Sequence, residues 1–303
     1  MTLTPAVAEE VAEALRSRRP VVGLETTLVA HGFPEREGLA VALEAEARVR
    51  ASGAVPATTG IVDGAVKAGL TAAELERFAA AGESARKAGA RDLAACVVRG
   101  GLGATTVGGM LAVCRLTGIS FAGTGGTGGV HRGFAESLDI SGDLVQLARS
   151  PVVVVSSGAK SILDTGATAE VLETLGVPVL GWRTATLPLF YTAAGGPPVS
   201  AVVSSAAEAA AIAAAHWQLN GSAGLLLARP PDPGLDAEPF IAEAVRRVRE
   251  QGITGQAVTP AVLALVHELS GGRRIAVNRQ LIADNAALAG EVAVAYAAGG
   301  HGH

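Results

Sequence analysis

The stretch PVVVVSSGAKSILD (Pro151–Asp164) passes from an unbroken apolar run through small residues to a charged side chain. Four consecutive valines show no alternation of apolar and polar. Both faces of the strand they form must therefore be covered, as in a parallel sheet between helices. Ser156, Ser157, Gly158 and Ala159 then turn the chain, and SILDTG reads as a helix start. Lys160 thus stands beyond the carboxyl end of a buried strand, where open α/β sheets bind their ligands.

The same grammar recurs on either side. PVVGLETTLVAHG (Pro20–Gly32), TTGIVDG (Thr58–Gly64), GISFAGTGG (Gly118–Gly126), VPVLGWRT (Val177–Thr184) and GLLLARP (Gly224–Pro230) read as buried strands or strand ends. Helical spacing predicts helices over Glu35–Ser52, Thr71–Ala81, Thr105–Thr117, Thr168–Leu175, Ala206–Leu219 and Pro239–Gln251, with Thr71, Thr168 and Ser205 as caps. The N-terminal segment, with Glu9 and Glu10, reads as a surface helix. Strands alternating with helices mean an α/β fold. We expect one catalytic domain over residues 1–303, with loops at Thr192–Ser200 and Ala228–Pro239 inside it and a disordered tail over residues 297–303.

A chain that is 49% hydrophobic and 17% charged has ample material for a core. Its net charge of -4 gives no basic footprint, so no nucleic acid polymer is expected as a partner. Gly, Ser and charges break every run of about 20 apolar residues, so no membrane segment is expected either. The opening segment does not read as a signal peptide, and a cytoplasmic location is expected. Cys96 and Cys114 sit in apolar segments and read as buried reduced thiols.

Only Lys67, Lys87 and Lys160 are lysines, against a Lys+Arg total of 24. A chain that prefers arginine keeps lysine where a guanidinium cannot do the work. At Lys160, tight apolar surroundings disfavour an ammonium, and a neutral amine can form an imine with a sugar aldehyde. A phosphate-binding lysine at a helix start and an ordinary surface lysine are the alternatives. Glu25 closes an apolar strand, which suits either a general acid of raised pKa or a structural ion pair. His31 belongs to the surroundings of that site or satisfies a turn.

GGLGATTVGG (Gly100–Gly109) brings glycines, Thr105 and Thr106 to the entrance of a helix, a combination suited to phosphate. Lys87 and Arg91, four apart, share one face if helical and add charge there or form a solvated face. GTGGTGGVHRG (Gly123–Gly133) contains a formal G-x-G-x-x-G, but GVHRG is no helix start and no acidic residue closes the next strand, which argues against a dinucleotide. FAESLDISGDL places Asp139 and Asp143 four apart with Ser141 between them, donors for a hydrated magnesium or manganese ion or for a helix cap.

With these segments in hand, the chain resembles the pseudouridine-5'-phosphate glycosidase family, also called indigoidine synthase A-like. The resemblance runs through LETTLVAHGFP, RDL, GATTV, TGGTGGVHRG, LDISGDL, SSGAKSILD, LETLGVPVLGWRT and NRQLIADNAALAGEVA. It implies a three-layer α/β/α fold, a homotrimer and a divalent metal, commonly manganese, held by Asp139. It further implies that Glu25 is the proton donor and Lys160 the Schiff-base nucleophile of a C-glycosidase or lyase that cleaves or forms the bond between ribose 5-phosphate and uracil. Lys87, Val107, Ser141, Gly142 and Asp143 then become substrate contacts. Thr105 and Thr106 hold phosphate, Thr124 and Asn278 meet the base, and His131 supports them.

Three stretches depart from the family pattern. KAGARDL carries Ala90 where arginine is common, TTVGGML replaces a form with small polar residues, and FYTAAGGPPVS lacks a basic residue. These motivate a second reading, a biosynthetic C-ribosyl synthase joining ribose 5-phosphate to another aromatic aglycone. A sugar-phosphate binding protein without catalysis is the third, opposed by the presence of both Glu25 and Lys160.

Overall fold

In the computed structural model, which describes residues 4–33, 37–221, 223–235, 237–253, 258–269 and 273–300, the strands are β1 (Ala6–Val7), β2 (Val21–Leu24), β3 (Val55–Val62), β4 (Ala65–Ala68), β5 (Arg86–Ala88), β6 (Leu102–Thr105), β7 (Phe121–Gly123), β8 (Val130–His131), β9 (Val153–Ser156), β10 (Leu163–Asp164), β11 (Val179–Trp182), β12 (Ala201–Val203) and β13 (Leu225–Ala228). The helices are α1 (Glu9–Arg16), α2 (Glu37–Ala51), α3 (Ala72–Ala81), α4 (Leu93–Arg99), α5 (Val107–Thr117), α6 (Phe134–Ser137), α7 (Gly142–Ala148), α8 (Thr165–Thr174), α9 (Ala206–Asn220), α10 (Glu238–Glu250), α11 (Val258–Leu269) and α12 (Arg273–Ala298).

The valine run explains the layering. Val153 and Val155 join one core, with Val41 and Val49 of α2, Ala213 of α9 and Leu288 of α12. Val152 and Val154 join another, with Met110 and Leu111 of α5 and Leu144 and Leu147 of α7. Side chains of one strand point alternately to both faces, and helices cover each, giving three α/β/α layers. The sheet runs β1-β4-β3-β2-β7-β9-β13-β11-β12, with β6 also on β3 and β5 on β6. From β3 to β12 along this order every pairing is parallel, and β4 and β6 run antiparallel to β3. A separate two-stranded sheet pairs β8 with β10.

Thr71 caps α3 in a reciprocal box with Glu74, and the Ser205 hydroxyl caps α9, both as predicted. The third predicted cap is corrected. Asp164 caps α8, accepting from the Ala167 N–H, while Thr168 lies inside the helix and accepts from the Val130 N–H. Lys160 therefore stands in a turn before β10, not at a helix start. Lys87 and Arg91 share no helix face either, since Lys87 is in β5 and Arg91 lies in the 3-10 turn Ala90–Asp92.

α12 is an element that the helical spacing did not single out. It is long and apolar enough to cross a bilayer by length and composition, yet Leu281, Ala286, Ala289 and Val292 are buried in the core. Glycine lets it approach its neighbours. A Cβ on Gly290 would sit 1.9 Å from Ser52 Oγ, and one on Gly123 would sit 2.9 Å from Ala286 Cα. Of the tail expected over residues 297–303, Ala297 and Ala298 complete this helix and residues 301–303 lie outside the described residues. Cys96 and Cys114 are buried free thiols, and burial pushes the Cys114 thiol up to about 12.

Candidate active site

Three adjacent parallel strands, β2, β7 and β9, end together and release three short segments at one edge. β2 delivers Glu25, β7 delivers Thr124 and β9 delivers the turn that carries Lys160. Glu25 is 4% exposed, and its Oε1 accepts from the Thr124 hydroxyl at 2.5 Å. Burial pushes its carboxyl above the ordinary value, against the opposing charge of Lys160, the Thr124 hydrogen bond and Lys87, while Asp143 adds to the rise.

The lysine turn is zipped to the glycine loop that follows β7. Ser157 N–H donates to Gly125 O at 2.9 Å, Thr127 N–H to Gly158 O at 3.0 Å, and Lys160 N–H to Thr127 O at 3.0 Å. Gly158 must be glycine, because its φ is +86° and a Cβ would meet Pro188 O at 2.2 Å. Glu25 Oε2, Thr127 Oγ1 and Asn285 Oδ1 are buried here without a partner among the described residues. Buried polar atoms of this kind call for a ligand or ordered water.

Lys87 keeps solvent access at the cleft while protein surrounds much of its length. Burial and the charge of Lys160 hold its ammonium below the ordinary value, opposed by Asp143 and Glu25. The remaining lysine, Lys67, is occupied in an ion pair with Glu74. Two of the three lysines therefore converge on one carboxylate.

Helix starts supply the anion-binding half. Thr106 caps α5, accepting from Gly109 N–H at 3.3 Å, and Ser141 caps α7, accepting from Asp143 N–H at 3.2 Å. Asp143, 8% exposed, accepts from Gly108 N–H at 2.8 Å and from Gly128 N–H at 2.9 Å, so it fastens both helix starts to the glycine loop. The amides of Val107 and Gly142 have no acceptor among the described residues. Such free first-turn amides suit a phosphate.

Thr105 requires a correction. It is fully buried, its hydroxyl donates to Thr59 O at 2.8 Å, and its N–H donates to Thr26 Oγ1 at 2.9 Å. That hydroxyl is engaged beneath the site and does not reach a phosphate. Thr124 spends its hydroxyl on Glu25, and Asn278 of α12 lies against Gly125, with Oδ1 3.4 Å from where a Cβ would stand. His31 lies behind the site, its ring nitrogens 3.2 Å from Thr27 Oγ1 and 3.0 Å from Ala85 O.

Asp139 lies on the exposed run before α7, with His131 Nε2 3.8 Å from its Oδ2. Among the described residues no group of three or more His, Cys, Asp or Glu side chains gathers to cage an ion. One open carboxylate fits a hard divalent cation that keeps most of its water, and fits no dehydrated site.

Sequence reasoning missed Asn285. It is fully buried and donates to Thr124 O at 2.9 Å and Ser157 Oγ at 3.1 Å. The available signal was an asparagine amid the apolar residues of IADNAALA.

Residues 10–295 match the family described as indigoidine synthase A like protein. The pseudouridine-5'-phosphate glycosidase of Salinispora tropica is 48% identical over 296 residues, covering 95% of this chain and 91% of that protein. The enzyme of the same name from Escherichia coli is 42% identical over 297 residues, 96% of this chain and 95% of its own. Among solved structures, a prealnumycin C-glycosynthase in complex with ribulose 5-phosphate superposes with a TM-score of 0.92 at 41% identity, covering 99% of each chain. An indigoidine synthase A-like protein from Thermotoga maritima gives 0.84 at 34% identity and 96% coverage of each. With the two lysines, the buried glutamate and the paired helix starts all in segments that these relatives span, the chain belongs to the indigoidine synthase A-like family.

Proposed function

We propose that this chain is a pseudouridine-5'-phosphate glycosidase-type enzyme, breaking or forming the carbon-carbon bond between ribose 5-phosphate and uracil through an imine on Lys160. The observation that carries the reading is geometric: a buried carboxyl, Glu25, held by the Thr124 hydroxyl, stands where β2, β7 and β9 end together beside the turn of Lys160. In the cleavage direction Glu25 gives its proton to the ribose ring oxygen and the ring opens. The Lys160 amine adds to the anomeric carbon. The bond to uracil C5 then breaks, C5 gains a proton to balance one lost from the lysine nitrogen, and an imine remains. Water adds to this protonated imine and releases ribose 5-phosphate with a free amine, and the proton set free returns to Glu25.

The Val107 and Gly142 amides with Lys87 hold the phosphate in this reading. Asp139 would hold a divalent metal, commonly manganese in the family, which when bound supplies positive charge beside the sugar phosphate. We infer a homotrimer from family membership; light scattering reads the mass directly.

A second reading keeps the lysine chemistry and changes the aglycone. The C-glycosynthase, similar over 99% of both chains, favours it. The test is uracil release from pseudouridine 5'-phosphate with manganese present, comparing the parent with Lys160→Ala. The parent should release uracil and the variant should fall by about 10³-fold or more. Substantial turnover by the variant refutes the imine. A folded parent that releases nothing, yet is trapped on Lys160 by borohydride with ribose 5-phosphate, supports the synthase.

A further inference from the structure

A buried primary amide must satisfy its N–H groups or cost stability. Asn285 meets this demand entirely outside its own helix. Its Nδ2 faces Thr124 O at 2.9 Å, Ser157 Oγ at 3.1 Å and Gly125 O at 3.4 Å. Since two of these are carbonyls, only the nitrogen can face them, which fixes the orientation of the amide. The helix is seated against this edge with no side chain between, because Gly123 opposes Ala286 backbone to backbone.

These partners belong to two arms of the site, Thr124 and Gly125 to the segment after β7 and Ser157 to the turn after β9. Thr124 carries the hydroxyl that donates to Glu25. Ser157 begins the turn that ends at Lys160, and Gly125 O receives the Ser157 N–H. Strand pairing between β7 and β9 stops at Gly123 and Val155, so beyond it the two arms depend on loop contacts. Where the ladder has ended, this side-chain amide adds to the backbone bonds that join the arms, among them Thr124 N–H to Val155 O at 3.0 Å and Ser157 N–H to Gly125 O at 2.9 Å.

We propose that Asn285 is a positioning residue that holds the proton-donor arm of Glu25 and the nucleophile arm of Lys160 at their working separation. The inference rests on the reading of those two residues given above. Asn285 touches no reacting atom in this role and acts through Thr124 and Ser157. Without it the Thr124 backbone keeps its N–H bond to Val155 O at 3.0 Å but loses the bond to its carbonyl, and its hydroxyl shifts away from Glu25. That hydroxyl favours the ionised carboxylate, so its departure raises the carboxyl further, among the facing charges of Lys160, Lys87 and Asp143.

The experiment measures kcat, KM and the pH–rate profile for pseudouridine 5'-phosphate in the parent, Asn285→Ala, Thr124→Val and the double variant, with borohydride trapping of ribose 5-phosphate alongside. Asn285→Ala should lower kcat about 10- to 100-fold, with KM changed by less than about 2-fold. Its alkaline limb, which reports loss of the Glu25 proton, should move to higher pH as in Thr124→Val, and the double variant should be little worse than either. An unmoved limb, fully additive losses or an effect confined to KM overturns the proposal. Should Asn285→Ala fail to fold, Asn285→Ser, which keeps a shorter donor, is held to the same three criteria. A parent that cannot be trapped by borohydride indicts the imine reading, whereas normal trapping with an unmoved limb indicts Asn285 alone.

Discussion

At Glu25 burial outweighs the charges and hydrogen bond that favour the carboxylate, so its carboxyl lies above the ordinary value and the folded chain holds the proton more tightly than the unfolded chain. The thermodynamic sign follows. Between the ordinary carboxylate range and the raised folded value, ionisation favours the unfolded chain, so the contribution of Glu25 to stability falls as pH rises through that window. Glu25→Gln should therefore raise Tm at about pH 8, show no gain at about pH 4, and lose turnover at both. A gain equal at the two pH values would remove the raised carboxyl. Glu25 and Lys160 were legible in the sequence because a charge closing an apolar strand is costly and invites a question. Thr105 misled because its hydroxyl is satisfied by Thr26 and Thr59, residues distant in the chain. A threonine before a helix looks the same whether its partner is a ligand or another strand.

Among the elements, the starts of α5 and α7 are joined by Asp143, whose carboxylate accepts from Gly108 N–H, in addition to the core that the two helices share. Asp143→Asn keeps the shape but turns an NH2 toward one of the two backbone N–H groups now donating to the carboxylate. We expect a loss of about 2–4 kcal/mol in denaturant unfolding, since a buried charge-assisted acceptor is removed. KM for the sugar phosphate should rise in the same variant, because the Val107 and Gly142 amides lose their common anchor. Unchanged stability would mean that the helix starts are set by their own caps. Thr71 and Ser205 were readable because each cap bonds within its own first turn. The start of α8 was placed late, since Thr168 is as plausible a cap as Asp164 until Val130 is seen to claim its hydroxyl. α12 escaped notice because it packs against α2, α9 and the sheet at once, which leaves no single apolar stripe to recognise.

Over the whole molecule, the three layers were legible because a parallel sheet covered on both faces writes itself as unbroken apolar runs. The short strands β1, β5, β8 and β10 carry no such run, and they are where the cleft acquires Lys87 and His131. α12 lies at the centre of one layer, with Phe121 packed edge-on against Tyr296 at 5.3 Å and Trp217 at 6.2 Å. A chain ended before Arg273 should lose its cooperative melt and expose Trp217 to solvent quenchers. A sharp transition in that shortened chain would show that the sheet and the remaining helices fold without it. The same helix has a consequence for synthesis. Thr124, Ser157 and Lys160 emerge from the ribosome long before Asn285, which follows Ser157 by 128 residues. A nascent chain can thus have both arms of the site synthesised and still await the helix that joins them, so full turnover should come only when α12 docks.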